Sequence, residues 1–223
     1  MFGALGDIHG DFAAVRRIMN RHPDVPFWLC VGDVADAAGQ YEPVPAPLYW
    51  IKGNNENFDR IDAGDLPTGL HYLPNGSAAT VGDLTVAGLG GTFAPTMYER
   101  APRDLPHPRK GTAKATELAD RRRHFVRAEV EACKALRGVA VLLTHEAPRP
   151  FRTAAPGGRP GNDAGKTPIN EVLAAMRPRL HLFGHHHRFV ESEAAGVRSV
   201  CLDLVSRSYL IIDVQTLKYD VVL

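Results

Sequence analysis

Six short apolar runs, most of which end in a cluster of polar residues, are the sequence feature that most constrains the fold. The runs lie at residues 2–5, 27–31, 48–51, 84–89, 139–143 and 180–183. Each has the length of a β-strand and is bounded by Gly or Pro, which favours a strand over a helix. We therefore predict that these six runs are buried strands.

Helical patterns lie between the runs. Apolar residues recur at helical spacing along one face of residues 11–21, 115–137 and 168–177. Strands that alternate with helices indicate an α/β fold. Residues 197–223 differ, because they form successive strand patterns around turns at Ser206-Arg207 and Gln215-Thr216. The predicted sheet is therefore mixed and ends in antiparallel strands.

Polar clusters follow five of the runs. They are "GDIHG" at 6–10, "GDVAD" at 32–36, "GNNE" at 53–56, "THE" at 144–146 and "GHHH" at 184–187. In open α/β sheets, the carboxyl ends of the strands form the crevice that binds ligands. These strand ends are therefore predicted to bring together Asp7, His9, Asp33, Asn54, His145, His185 and His187.

The chemistry of these side chains predicts a site for two divalent cations. Asp7 and His9 are two residues apart, as are His185 and His187, so the members of each pair point the same way in an extended chain. Imidazole combined with carboxylate and amide oxygen is a borderline ligand set, which fits Mn, Fe, Zn or Co better than Ca or Mg alone. One Asp or His at a strand end is usually a cap or a turn residue, but that explanation does not account for five clusters in one chain.

Length, charge and cysteine content limit the class of protein to which the chain can belong. The 223 residues are expected to form a single domain over residues 1–223. The chain has 26 Lys and Arg against 25 Asp and Glu, so no overall charge draws it to nucleic acid or membrane. Its three cysteines are far apart in sequence, which favours reduced thiols and a cytoplasmic location. We find no signal-peptide pattern and no apolar run that could span a bilayer, so no membrane partner is expected.

Together, the five motifs resemble those of the calcineurin-like metallophosphoesterase superfamily. Its pattern is DxH, GDxx, GNH[DE], a lone His after a strand, and GHxH, which "DIH", "GDVA", "GNNE", "TH" and "GHHH" match in order. The resemblance implies an α/β fold, a four-layer αββα sandwich of two mixed β-sheets flanked by helices, with a dinuclear metal site at the strand ends. It also implies one ion held by Asp7, His9, Asp33 and His187, and a second held by Asp33, Asn54, His145 and His185, with Asp33 as the bridge.

Asn55 departs from the family pattern, which usually has His at this position. In the family, that His lies beside the scissile phosphate and is proposed to protonate the leaving oxygen. Asn can donate a hydrogen bond but has no proton to transfer, so general-acid catalysis, worth roughly 10²–10⁴-fold, is not expected from position 55. Metal binding is expected to be intact. His186, which lies between two ligands in sequence, is expected to point away from the ions.

The resemblance implies hydrolysis of a phosphate ester with no covalent enzyme intermediate. Two cations about 3.5–4 Å apart would generate the attacking hydroxide and clamp the phosphate oxygens for in-line displacement. Basic loops are expected to hold the rest of the substrate, because binding residues concentrate on loops. The loop at 149–166 directly follows the His145 cluster, and its Arg149, Arg152 and Lys166 are predicted to bind substrate.

Two other basic stretches are weaker candidates for substrate or nucleic-acid binding. Residues 92–114 carry Arg100, Arg103, Arg109, Lys110 and Lys114. Substrate binding and simple solvation explain this loop equally well. The run "RRR" at 121–123 lies on the helical pattern of residues 115–137. It is interpreted as a solvated helix face rather than a nucleic-acid-binding stripe.

Three functions remain open at this point. The first is a metal-dependent phosphodiesterase acting on a small or nucleotide-like ester, since Asn55 removes a feature usual in phosphomonoesterases and "GDVAD" lacks the RG of the superfamily's protein phosphatases. The second is an RNA-processing phosphodiesterase. "LLTHEAPR" resembles the branch containing lariat debranching enzymes, although that branch commonly alters the first DxH region, which is intact here. The third is a non-catalytic binding or scaffold protein, against which the complete ligand set argues.

Overall fold

The structure, a computed structural model, describes residues 1–106, 120–154 and 160–223. Its strands, in chain order, are β1 Phe2–Leu5, β2 Trp28–Cys30, β3 Leu48–Trp50, β4 Leu70–Tyr72, β5 Ala78–Val81, β6 Leu84–Leu89, β7 Thr92–Phe93, β8 His124–Phe125, β9 Val141–Thr144, β10 Arg152–Ala154, β11 Pro160–Asp163, β12 Leu180–Phe183, β13 Val190–Ala194, β14 Val197–Cys201, β15 Tyr209–Ile212 and β16 Tyr219–Val222. Its α-helices are α1 Phe12–Arg21, α2 Phe58–Ala63, α3 Arg127–Ala135 and α4 Thr167–Met176. Short 3₁₀ turns cover Pro102–Asp104 and Arg121–Arg123.

Two mixed sheets of six strands form the centre of the molecule. The first sheet has the order β16-β15-β1-β2-β3-β4, in which β1 to β4 are parallel, β15 is antiparallel to β1, and β16 is antiparallel to β15. The second has the order β13-β14-β12-β9-β6-β5, with antiparallel β13 and β5 at its edges. The predicted mixed α/β fold, with an antiparallel chain end, is confirmed.

The core has three layers because side chains alternate between the faces of each strand. Leu29 of β2 and Leu143 of β9 belong to the apolar cluster between the sheets. Cys30, the next residue of β2, packs on the opposite face with residues of α1. Leu142 of β9 packs outward with residues of α3 and α4. The order of layers is therefore helix, sheet, sheet, helix, which is the four-layer sandwich that the motifs implied.

The helix predicted over residues 115–137 is much shorter in the structure. Only Arg127–Ala135 is helical, while residues 121–125 form a 3₁₀ turn and strand β8. Two contacts hold this backbone outside a helix: β8 pairs with β7, and the Lys52 Nζ donates to the carbonyl oxygens of Arg122 (2.8 Å) and His124 (3.3 Å). The helical prediction was wrong for residues 121–126, and residues 107–119 lie outside the described part of the chain.

The turn from β1 into α1 joins two of the polar clusters. Asp11 caps α1, since its side chain accepts a hydrogen bond from the Ala14 N–H at 2.9 Å. Gly10 has φ 78°, and a Cβ there would lie 2.4 Å from the Cβ of Asp36. Only glycine allows "GDIHG" and "GDVAD" to approach this closely. Among the described residues, no helix has both the length and the apolar character needed to cross a membrane.

Candidate metal centre

The seven predicted ligands converge at one edge of the sandwich. They follow β1, β2 and β3 of the first sheet and β9 and β12 of the second. Within the described residues, two groups have ligand atoms that all lie within 4.8 Å of one another: Asp7, His9 and His187, and Asp33, His145 and His185. No more than 1% of the surface of Asp7, Asp33 or His145 is exposed. The structure therefore brings the predicted side chains together, and their roles as ligands remain a prediction.

The first group joins the two sheets. The Nε2 of His187 lies 3.1 Å from the Oδ2 of Asp7. The Nε2 of His9 lies 3.1 Å from the same atom of His187, and 3.6 Å from the Oδ2 of Asp33. Two imidazole nitrogens and carboxylate oxygens thus face a common point.

The second group is centred on His145. Its Nε2 lies 3.1 Å from the Oδ1 of Asn54 and 3.6 Å from the Oδ2 of Asp33. The ring of His185 is close by, with a distance of 4.9 Å between the two ring centroids. Since the Asp33 Oδ2 lies 3.6 Å from both His9 and His145, Asp33 stands between the two groups.

The backbone after β3 holds Asp33 in place. The Asp33 Oδ1 accepts hydrogen bonds from the N–H groups of Asn54 (2.7 Å) and Asn55 (2.8 Å). A Cβ at Gly53 would lie 2.0 Å from the same oxygen, so the chain can pass here only as glycine. One carboxylate oxygen is thereby used for positioning, and the other is left to face the histidines.

Unusual backbone conformations cluster at this site. His9, Asp33, His185 and His187 have φ values of 47°, 49°, 70° and 48°, in the left-handed region that non-glycine residues seldom adopt. Such conformations cost about 1–3 kcal/mol each and concentrate at functional sites. The fold therefore holds these four side chains at the expense of local backbone strain.

Burial and charge act in opposite directions on the pKa values of the site. Burial alone would raise the pKa of Asp33, but the neighbouring His145 and the hydrogen bonds from Asn55 lower it below its usual value. Burial lowers the pKa of His185 to about 4, so that ring is neutral near pH 7. The hydrogen bond to Asp7 raises the pKa of His187, so a proton would compete with a cation for its ring.

The donor set fits the two divalent ions that the motifs imply. The Nδ1 of His145 lies 2.8 Å from the carbonyl oxygen of Val31, which can only accept a hydrogen bond. Nδ1 therefore carries a proton, which leaves Nε2, the atom that faces Asn54 and Asp33, as the ligand atom for a cation. This arrangement, in which a second contact fixes the tautomer of the ligand, is typical of metal-binding histidines. Burial alone would lower the pKa of His145, but Asp33, Asp7 and the Val31 carbonyl raise it, so a proton would compete with a cation for Nε2.

Asn55 contacts the central carboxylate. Its side-chain Nδ2 donates to the Asp33 Oδ2 at 3.1 Å. This is the oxygen that also faces His9 and His145. The residue that replaces the usual His therefore supports Asp33, in addition to having no proton to transfer.

His186 belongs to neither group of ligand atoms, although its ring touches that of His185, with 5.2 Å between the ring centroids. Its ring lies on Phe151, with 4.5 Å between the ring centroids, and its Nε2 is buried without a partner among the described residues. Burial lowers its pKa to about 3. The ring is therefore neutral and has a packing role.

The predicted substrate-binding residues have other contacts. The Nε of Arg149 lies 2.8 Å from Asp163, and the Nζ of Lys166 lies 3.8 Å from Glu146. Arg152 is exposed on β10. None of the three lines the cavity beside the metal ligands. Arg109, Lys110, Lys114 and Arg159 of the predicted basic loops lie outside the described residues.

A cavity of about 450 Å³ opens beside the ligands, and His9, Asn54 and Asn55 line it together with Phe58 and Arg123. Sequence reasoning missed Arg123, because the run "RRR" was interpreted as a solvated helix face. No local pattern distinguishes position 123 from its two neighbours. Its place in the cavity depends on the contacts of residues 120–125 with the rest of the fold.

Two six-stranded sheets between helices, with two ligand clusters at their ends, define a class of metal-dependent phosphoesterases. A model of the calcineurin-like phosphoesterase family matches residues 1–189, and the chain belongs to this family. Its members typically bind a dinuclear metal site, and the two groups of ligand atoms are the candidates for that site here.

Individual relatives are distant. A lariat debranching enzyme of Schizosaccharomyces pombe (strain 972 / ATCC 24843) is 24% identical in an alignment 202 residues long, which covers 81% of this chain and 42% of that enzyme. One solved structure aligns with 99% of this chain and 97% of its own, with a TM-score of 0.69 and 12% identity. The phosphopantetheinyl hydrolase of Mycobacterium tuberculosis aligns with 92% of this chain and 90% of its own, with a TM-score of 0.50 and 16% identity. These structures share the fold.

Proposed function

We propose that the protein is a metal-dependent phosphodiesterase that hydrolyses small or nucleotide-like phosphate esters. Two divalent cations, for which we favour Mn, would lower the pKa of an attacking water and neutralise charge on the phosphate. Asp7, His9, Asp33, Asn54, His145, His185 and His187 would hold them. Asp33 would bridge the two ions, and the Val31 carbonyl would hold a proton on the His145 Nδ1, which leaves Nε2 as the ligand atom.

The observation that carries the choice of a diester is the environment of Asn55. Its side chain is bound to Asp33 and cannot give a proton to a leaving oxygen. A monoester dianion is held tightly by two cations, so its release depends more on a residue of that kind. The adjoining cavity of about 450 Å³ falls in the range of small-molecule sites and would accept the second substituent of a diester.

A second candidate is the debranching of a nucleic acid. The similarity to the lariat debranching enzyme over 81% of the chain favours it, whereas the formal charge of +1 gives little attraction to a polyanion. Cleavage of a branched oligonucleotide, compared with its linear counterpart, separates the two candidates. A strong preference for the branched substrate would favour the second.

The test is metal content together with turnover. The purified chain is expected to bind about two divalent ions, and the Mn²⁺-loaded protein to hydrolyse bis(p-nitrophenyl) phosphate faster than p-nitrophenyl phosphate. Asp33→Asn is expected to lose metal, because Asn can still accept from the N–H groups of residues 54 and 55 but turns an amide N–H₂ towards the histidines. Elemental analysis and initial rates measure both effects.

Asp36→Asn is the matched control. Asp36 accepts hydrogen bonds from the N–H groups of Ala38 and Gln40 and is not among the candidate ligands. It is expected to keep both ions. A wild type without bound metal, or full occupancy after Asp33→Asn, would contradict the site. Faster turnover of the monoester than of the diester would mean that the protein is a phosphatase and not a phosphodiesterase.

A further inference from the structure

The cavity beside the metal ligands has an uneven distribution of charge. Asp36, Glu56 and Asp120 are its three carboxylates apart from the metal ligands. All three are already hydrogen-bonded: Asp36 accepts from two backbone N–H groups, Glu56 accepts from the backbone N–H groups of residues 34, 35 and 53, and Asp120 accepts from the guanidinium of Arg122. Their negative charge is therefore largely compensated within the protein.

Arg123 contributes a positive charge to the same cavity. Its Nε donates to the carbonyl oxygen of Asp120 at 3.0 Å, which fixes the direction of the side chain. Among residues 1–106, 120–154 and 160–223, no carboxylate forms an ion pair with its guanidinium. Its neighbour Arg122, in contrast, contacts Asp59, Asp62 and Asp120. In the described part of the chain, the other N–H groups of the Arg123 guanidinium have no hydrogen-bond partner, and beside a phosphoester site they are suited to an oxyanion.

The backbone around Arg123 is held on every side. The Nζ of buried Lys52 donates to the carbonyl oxygens of the residues before and after it, at 2.8 and 3.3 Å. The Nδ1 of His124 lies 2.9 Å from the Thr92 Oγ1, and β8 is paired with β7. Arg123 is thus preorganised, and little ordering is needed when a ligand binds.

We infer that Arg123 is a substrate-binding residue that contacts an oxyanion of the substrate in the cavity beside Asn55. This inference rests on the proposed function. The oxyanion has two sources: a non-bridging oxygen of the scissile phosphate, or a second phosphate on the same substrate. In either case Arg123 supplies positive charge on the side of the site where the family's His is absent.

Arg123→Gln is the test, and Arg121→Gln is its matched control. Arg121 lies in the same 3₁₀ turn and does not line the cavity. Metal content is expected to stay at the wild-type value in both variants. Loss of charge-assisted hydrogen bonds predicts a fall in kcat/KM of roughly 10- to 100-fold for Arg123→Gln only. The substrates are methyl p-nitrophenyl phosphate, the dinucleotide TpT and its 5′-phosphorylated form pTpT.

The three substrates distinguish the two phosphates that Arg123 could contact, the scissile phosphate and a second phosphate on the same substrate. A loss on all three supports contact with the scissile phosphate, and a loss confined to pTpT supports contact with a second phosphate. Arg123→Gln rates within twofold of wild type on every substrate, or an equal loss in Arg121→Gln, would overturn the inference.

A binding measurement separates this inference from the proposed function. Calorimetry with the Mn²⁺-loaded protein compares thymidine 5′-monophosphate and thymidine 3′,5′-bisphosphate. At least one is expected to bind wild type and Arg121→Gln more than fivefold tighter than Arg123→Gln. If no diester is hydrolysed, the proposed function fails, and the binding measurement alone then decides the role of Arg123. That role is rejected if wild type, Arg121→Gln and Arg123→Gln bind both thymidine phosphates with equal affinity.

Discussion

At the residue scale, the exchange of His for Asn at position 55 should depend on the leaving group. An acidic phenol leaves without a proton, whereas a sugar alkoxide needs one in the transition state. Asn55→His is therefore expected to raise kcat/KM on nucleoside esters more than on aryl esters, by up to the roughly 10²–10⁴-fold typical of general-acid catalysis. The measurement is kcat/KM for both ester types in wild type and variant.

The structure adds a condition to this experiment. The Asn55 Nδ2 donates to the Asp33 Oδ2, so the variant also alters a contact of the central carboxylate. Metal content is expected to be unchanged, because the backbone N–H of residue 55 still donates to the Oδ1. Equal changes for the two ester types, or a loss of metal, would mean that position 55 is not the vacant acid site. His107, which in principle could supply a proton instead, lies outside the described residues.

At the scale of elements, a polar network ties together three strands of the second sheet. His181 of β12 contacts the Thr144 Oγ1 of β9 at 2.8 Å and the Ser199 Oγ of β14 at 3.0 Å. Complete burial lowers the pKa of His181 to about 3, so the ring is neutral in the folded protein. The unfolded chain takes up a proton below the ordinary pKa of about 6.5, so folding stability falls as the pH drops from there towards 3, by about 1.4 kcal/mol per pH unit.

Denaturant unfolding at pH 7 and pH 5 measures this effect. In EDTA, wild type is expected to lose about 2 kcal/mol more than His181→Gln between the two pH values, because Gln does not titrate. The remaining histidines are present in both proteins, so their contributions to the pH dependence of folding stability cancel in the comparison. The same loss of stability in both would show that His181 is not held neutral.

Sequence patterns predicted correctly the elements whose structure is determined by their own residues rather than by distant contacts. The strand runs are bounded by turn residues and buried on both faces, so all six formed with ends shifted by no more than two residues. Residues 121–126 have helical apolar spacing, but their structure depends on β7 and on Lys52, which is 70 positions before Arg122. Local spacing carries no information on such partners. The same reason explains why the candidate metal ligands, each at a strand end, were predicted, whereas Arg123 was not.

At the scale of the whole molecule, bound cations should raise the unfolding temperature. An ion that binds only the folded state stabilises it by about 2.7 kcal/mol at a concentration 100 times its Kd. For a chain of this length, that corresponds to a rise in Tm on the order of 5–10 °C per ion. Calorimetric scans in EDTA and in Mn²⁺ measure it, and Asp33→Asn should remove most of the shift. Equal Tm values in both buffers would count against a metal centre in the folded protein.

The position of the site between the sheets has a consequence for how the chain is tied together. Asn54 and His145 are 91 positions apart, and His9 and His187 are 178 apart, yet each pair meets at one point. An ion seated there closes a loop of that length, much as a disulfide would, and chain-entropy arguments give long loops the largest gain from such a cross-link. The three cysteines are buried as free thiols, so any reversible cross-linking between the sheets would come from the cations. Removing the metal with a chelator would then break the link between the sheets, as reduction breaks a disulfide. Adding the metal back would restore that link, as reoxidation restores a disulfide.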